Sequence, residues 1–360
     1  MRHGSHLDPP NRFQKERLVA DDEHWDGDEA SLAGEPHREI ELIDDHSQSL
    51  VTSNDSPDIP FRFSANPYRG CIHGCAYCYA RNTHEYLGMN AGLDFETKIV
   101  VKRQAPELFR QFLRKRKLSG DVIAFSGVTD CYQPVEREFR LTRQCLEIAL
   151  EFRQPVAIVT KNALVLRDLD ILSDMAELNL VRVFLSINSL DRELARRLEP
   201  RTSIPASRLR AVQYLSEAGV PVGVMVAPVI PGLNDNEIPQ VLEAAANAGA
   251  KSAAYILLRL PITVEPVFRE WLTRNLPTHV ERIEHRIRQT RHGKLNSSTW
   301  GERMKGAGPI ADQIRSIFQL FKHKHGLDQE LPPLDFTRFR DPHAPRQLSL
   351  FPDDSEPVGS

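Results

Sequence analysis

Six short apolar runs, each followed by a longer amphipathic segment, constrain the fold of this 360-residue chain more than any other feature. The runs are FRFSA (61–65), DVIAFSG (121–127), PVAIVT (155–160), VRVFLSI (181–187), VPVGVMV (220–226) and SAAYILL (252–258). They are largely apolar along their length, the pattern of parallel strands covered on both faces. The segments between them carry helical spacing. Leu141, Cys145, Ile148 and Phe152 fall at i, i+4, i+7 and i+11, and Leu108, Phe109, Phe112 and Leu113 share one face. Gly120, Gly219 and Gly249 stand before the second, fifth and sixth runs as turn residues. Repeated strand–helix units with right-handed crossovers give an α/β fold. Six units in about 200 residues fit an open, partial (β/α)6 barrel better than a closed eightfold one. In either case the chemistry belongs at the carboxyl ends of the strands.

The flanks differ in composition from this body. Residues 1–60 hold 5 Lys or Arg against 15 Asp or Glu, and the remaining chain holds 41 against 34. An acidic, aperiodic segment of this kind cannot bury enough apolar area to offset its ordering entropy, so residues 1–57 are expected to be mostly disordered. IELI (40–43) is a weak candidate for an edge element, and order is expected to begin near Ile59. The barrel is assigned to 58–262, a helical and somewhat basic extension to 263–326, and a flexible Pro-, Asp- and Ser-rich tail to 327–360. There is no apolar run of about 18 residues and no short leader-like stretch, which leads to the expectation of a cytoplasmic protein without membrane contact.

The strongest chemical signal is Cys71-Ile-His-Gly-Cys75-Ala-Tyr-Cys78, directly after the first run. Five cysteines are too few for a disulfide scaffold of this length. Soft thiolates at such density select zinc or an iron–sulfur cluster. Zinc would want a fourth ligand, for which His73 and His84 are available. A C-x3-C-x2-C loop also suits a cubane with one iron left open.

The loop resembles that of the radical S-adenosylmethionine (SAM) superfamily, and NPYRGCIHGCAYCYA (66–80), TDCYQPVE (129–136), EPRTSIPASRL (199–209) and APVIPGLND (227–235) resemble its spore photoproduct lyase-related branch. The likeness covers residues 59–320. It implies a [4Fe–4S] cluster on Cys71, Cys75 and Cys78 that reduces SAM and releases a 5′-deoxyadenosyl radical, with a donor such as flavodoxin or ferredoxin supplying the electron. It further implies SAM-binding roles at the strand ends: Thr129 and Asp130 for the ammonium, Lys161 for the carboxylate, Ser186 and Asn188 for the ribose. Arg201 offers a fork for a carboxylate, or else pairs with Glu199. An apolar adenine wall from Ala227 to Ile230, with Tyr77 nearby, completes the set. Cys131, just beyond the second run, is a candidate hydrogen donor at the mouth of the site. Cys145 reads as core.

Gln347-Leu348-Ser349-Leu350-Phe351, in the Pro-flanked tail, resembles the peptide by which bacterial repair proteins dock on the DNA polymerase sliding clamp. Leu350 and Phe351 would be buried anchors, and Gln347 and Leu348 would complete the contact. The basic segment 281–346, with 13 Lys or Arg against 8 Asp or Glu, agrees weakly with DNA as a partner, through Arg282, Arg286 and Arg288. The leading expectation is a radical SAM enzyme, lyase-like, acting on a DNA lesion. The alternatives are a radical SAM enzyme on RNA, protein or a small molecule, and a non-catalytic, metal-bearing, clamp-binding adaptor.

Overall fold

The computed structural model of the chain describes residues 3–13, 39–115 and 120–340. Its strands are β1 (Glu41–Asp44), β2 (Val51–Ser53), β3 (Phe63–Ala65), β4 (Tyr68–Arg69), β5 (Lys98–Val101), β6 (Ile123–Phe125), β7 (Val156–Thr160), β8 (Val181–Ser186), β9 (Val222–Val229) and β10 (Ser252–Leu257). The helices are α1 (Leu93–Thr97), α2 (Ala105–Lys115), α3 (Glu136–Phe139), α4 (Leu141–Phe152), α5 (Leu169–Glu177), α6 (Arg192–Leu198), α7 (Pro205–Glu217), α8 (Ile238–Asn247), α9 (Val264–Asn275), α10 (Val280–Gln289) and α11 (Pro309–Lys324).

All six apolar runs form strands. β3, β6, β7, β8, β9 and β10 lie side by side in chain order, each parallel to the next. The result is a partial (β/α)6 barrel of α/β class, with β2 added antiparallel on the outer side of β3. Leu141, Cys145, Ile148 and Phe152 are buried on α4, as are Leu108, Phe109 and Leu113 on α2. These helices join the strands in one large apolar core. After α7 the chain must reverse into β9. Gly219 does this at φ +76, while Val220 N–H reaches back to Leu215 O, a left-handed stop that a side chain would strain.

The N-terminal flank carries more structure than its composition suggests. β1 pairs in parallel with β5, and β4 pairs antiparallel on the other side of β5, so the IELI stretch lies in a small three-stranded sheet. β2 belongs to the main sheet. Residues 3–13 lie against the cysteine loop and the segment following it. The acidic run 14–38 lies outside the described residues.

The tail also departs from expectation, since residues 327–340 are docked. Ala253 N–H donates to Leu327 O, Arg182 to Leu331 O and Pro332 O, Asp335 N–H to Asn179 O, and Arg340 N–H to Phe152 O. Ala253 and Arg182 are near the starts of their strands, so this run crosses the amino end of the sheet, opposite the expected site. α11 packs back on the barrel, with Phe318 4.7 Å from Tyr255. No helix among the described residues is long and apolar enough to cross a membrane.

β10 and β2 are the free edges of the open sheet. Leu257 N–H, at the end of β10, bonds Met304 O. Asp58, just past β2, accepts from Gly301 N–H at 2.8 Å and from Arg303 Nε at 2.6 Å, so one carboxylate ties the two edges together.

Candidate active site at the carboxyl ends of the strands

The cysteine loop leaves β4 at Gly70 and rides over the carboxyl rim. Tight turns shape it: Gly74 N–H bonds Cys71 O, Cys78 N–H bonds Cys75 O, and Gly74 stands at φ +63. A Cβ on Gly74 would come within 2.6 Å of both Arg201 Nη2 and Glu96 Oε2. Cys71 and Cys75 are buried, and Cys78 is half-buried. The three thiols are free and lie within one another's electrostatic reach. Burial pushes the Cys75 and Cys78 thiols up. Burial acts on Cys71 in the same sense, but the His73 ring outweighs it and holds that thiol below its ordinary value. No three His, Cys, Asp or Glu side chains among the described residues gather tightly enough for a single metal ion.

Of the histidines considered as a fourth zinc ligand, His73 is otherwise engaged, whereas neither ring nitrogen of His84 has a hydrogen-bond partner among the described residues. His73 Nδ1 lies 3.4 Å from Asp130 Oδ2, and its Nε2 lies 3.2 Å from Asn162 Nδ2. Cys71 and Asp130 draw the ring up to about 9 against its burial. The Asn162 amide nitrogen is a donor, so it opposes a second ring proton, and its contact is met only by the neutral ring protonated at Nδ1. His84 is buried beneath the loop against Phe95, 5.7 Å between rings, where burial holds it down to about 4.

Underneath the loop sits a fully buried carboxylate. Glu96 takes Arg81 Nη2 at 2.5 Å, Arg201 Nη2 at 2.8 Å, and the Gly4 and Ser5 amides at 3.1 and 2.8 Å. Burial alone would raise it, but the two guanidiniums and His3 hold it down to about 2. Both arginines then grip the loop backbone: Arg81 Nη2 reaches Cys75 O at 2.8 Å, and Arg201 Nε donates to Ile72 O. One carboxylate thereby fixes two carbonyls of the loop through two forks.

The strand ends bring the other expected residues to the same rim. Thr129 Oγ1 donates to Gly70 O at 2.8 Å. Asp130 accepts from Thr160 Oγ1 at 2.7 Å, Lys161 N–H at 2.8 Å and Tyr132 N–H at 2.9 Å, and lies low, near 2, because His73 and these donors overcome burial. Lys161 Nζ stands 5.9 Å from the Tyr77 ring centroid. Burial would lower this ammonium, but Glu199 and Cys75 raise it on balance. Tyr77 OH donates to Glu199, which also pairs with Arg208, and Arg208 holds Ser186 O at 2.9 Å. Tyr77 and Ile230 fall in one buried apolar cluster. Asn188 is 1% exposed, and neither its Oδ1 nor its Nδ2 has a partner. An amide buried without partners is costly unless a ligand meets it.

Two expectations change. Cys131 is not at the mouth. Cys131 is buried in the main core beside α4, with its carbonyl accepting from Thr142 Oγ1 at 2.7 Å. Arg201 does not pair with Glu199, and its fork is spent on Glu96 and the loop. Gln347, Leu348, Leu350 and Phe351 lie outside the described residues. Glu96, Arg81 and Asn234 were not legible as site residues. Asn234 staples Ile230 N–H, Pro228 O and Asn188 O together, and it does stand in the quoted string APVIPGLND.

Residues 65–245 match the family model described as Radical SAM superfamily. An uncharacterized protein of Mycobacterium tuberculosis (strain H37Rv) is 36% identical over 233 residues, 64% of this chain and 68% of its own. An uncharacterized protein of Methanocaldococcus jannaschii is 30% identical over 198 residues, 55% of this chain and 71% of its own. Among solved structures, spore photoproduct lyase complexed with dinucleoside spore photoproduct superposes with a TM-score of 0.58 at 17% identity, covering 79% of each chain.

Proposed function

This chain belongs to the radical SAM superfamily, whose members use a [4Fe–4S] cluster and SAM, and on that premise we propose that it is an enzyme abstracting hydrogen from a damaged DNA base. Cys71, Cys75 and Cys78 hold the cluster. The observation that carries the reading is their arrangement: two buried thiols and a half-buried one on one loop at the carboxyl rim, beside an Asn188 amide with no partner among the described residues. Together the bound groups supply one-electron reductive cleavage of a sulfonium and the hydrogen abstraction that follows.

The protein's part is binding and orientation. Lys161 meets the SAM carboxylate, because it is a cation on the rim with no carboxylate bonded to it among the described residues. Asn188, with Ser186, meets the ribose hydroxyls. Tyr77 and Ile230 give the adenine an apolar face. Thr129 and Asp130 lie at the ammonium end of the site, where Thr129 also ties down the loop and Asp130 fixes the end of β7, and Arg201 is a positioning residue that ties down the loop. The DNA substrate rests on the likeness of NPYRGCIHGCAYCYA and the strings at 129–136, 199–209 and 227–235 to the photoproduct lyase branch, and on the clamp-like pentapeptide. The electron donor is of flavodoxin or ferredoxin type.

The test is oxygen-free loading with iron and sulfide, then reduction with dithionite in the presence of SAM, with and without ultraviolet-damaged DNA. Methionine and 5′-deoxyadenosine should form, and the lesion should be consumed. A protein that stays colourless, or that takes one zinc through the three thiols, overturns the enzymatic reading. SAM cleavage without any loss of lesion overturns the DNA substrate alone. A Leu350→Ala, Phe351→Ala double variant should lose co-purification with the sliding clamp, and unchanged retention discards that partner.

A further inference from the structure

Three arginines from distant parts of the chain meet at the open side of the barrel. Arg259 follows β10, Arg291 follows α10, and Arg303 lies on the segment latched to Asp58. Arg291 is 1% exposed. Its guanidinium donates to Leu258 O at 2.7 Å and Glu302 O at 2.9 Å, while its Nε has no partner. Arg259 is half-buried, its Nε is also without a partner among the described residues, and its guanidinium donates to Met304 Sδ at 3.7 Å. Among the described residues neither makes a salt bridge to a carboxylate. Arg303 uses Asp58, and the Glu302 carboxylate turns to His292 at 3.0 Å. Burial, with Arg259 close by, pulls Arg291 down to about 10, and the Glu302 carboxylate offsets this only in part. Three guanidiniums gathered near the two carboxylates of Asp58 and Glu302 leave one positive charge that an anion would complete.

Two exposed aromatic rings flank this group. Tyr79, 50% exposed, follows Cys78 directly, and the Arg259 guanidinium lies 5.8 Å from its ring. Trp300, 55% exposed, carries the Arg303 guanidinium 4.1 Å from its ring. Forked cations beside open aromatic faces are how single-stranded nucleic acid is held, phosphates on the forks and bases on the rings. A purely carboxylate-bearing partner would use the forks and leave the rings idle.

We propose that Arg259, half-buried beside Arg291 and Arg303, is the phosphodiester-binding fork of a site at the open side of the barrel, with Tyr79 and Trp300 as stacking faces, which seats a single-stranded stretch of DNA. The inference rests on the proposed function for its substrate, and it adds where the strand enters: beside the last cysteine of the loop, so that a base displaced from the strand has a short path to the rim.

The test measures anisotropy of a labelled oligothymidylate with the full, iron-loaded chain under anaerobic conditions. Arg259→Gln should weaken binding about tenfold and flatten the slope of log affinity against log salt by about 0.7, one single-strand phosphate contact. Arg259→Lys should restore the slope, and Trp300→Ala should weaken binding with the slope unchanged. Arg210→Gln, exposed on α7, is the charge control and should bind as wild type. Wild-type affinity and slope in Arg259→Gln overturn the proposal. So does equal binding of an oligomer with uncharged methylphosphonate linkages, or displacement of the oligomer by a glutamate peptide of equal charge. SAM cleavage by the wild-type protein without nucleic acid is measured separately. Its failure overturns the enzymatic reading whatever the oligomer does, and its success beside absent oligomer binding overturns this inference alone.

Discussion

Replacing Glu96 with Gln removes the one charge that satisfies two buried guanidiniums beneath the cysteine loop. The magnitude follows from the carboxyl itself. It is held at about 2 against an ordinary 4.5. At about 1.4 kcal/mol per pKa unit that gap contributes about 3 kcal/mol to the folded state. Direct loss of one partner in a buried ion pair gives a similar figure, about 3–5 kcal/mol. The sign is fixed by the depressed value. The stabilisation is complete above the unfolded value near 4.5 and is lost as pH falls toward 2. Urea unfolding of the metal-free protein should therefore show Glu96→Gln less stable by about 3 kcal/mol at pH 7. The difference should shrink below pH 4.5, since other carboxyls titrate in both proteins and cancel. Iron bound per chain should fall as well, because Arg81 and Arg201 then lose the anchor that aims them at Cys75 O and Ile72 O. A stability difference below about 1 kcal/mol at pH 7, or one independent of pH, would refute the reasoning.

Asn188→Leu should leave the SAM-free protein as stable as wild type or more so, because a partnerless buried amide is removed, while the rise in melting temperature on adding SAM should shrink. A lower melting temperature without SAM counts against the orphaned amide. Cys131→Ala should cost about 1–2 kcal/mol as a small core cavity and leave the ratio of repaired product to 5′-deoxyadenosine unchanged, measured by chromatography; 5′-deoxyadenosine formed without repaired product would return Cys131 to the chemistry. Gly74→Ala should cost about 1–3 kcal/mol of backbone strain and reduce iron uptake, since its Cβ meets Arg201 and Glu96; full iron loading would contradict the close packing there.

The barrel was legible because its signal is repetitive. Each run such as VRVFLSI had to be covered on both faces, and α4 shows its buried stripe in the spacing of Leu141, Cys145, Ile148 and Phe152. The cysteine loop was legible because three thiols in eight residues have few other uses. Glu96 was not, because a carboxylate in LDFETKIVV reads as solvated until its arginine partners arrive from 15 and 105 residues away. Cys131 was misplaced for a related reason: nearness in sequence to Asp130 says nothing of which way the next side chain turns. Tyr79 and Trp300 show no aromatic cluster in the sequence, and only the fold sets them against Arg259 and Arg303 respectively. The N-terminal flank misled through its average composition, which conceals the short strand-forming stretches at 41–44 and 51–53.

The run from Leu327 to Arg340 has a geometric corollary. It leaves the barrel on the side away from the thiols, anchored at Phe152 O. This strap therefore leaves the carboxyl rim, where the thiols sit, uncovered on its own account.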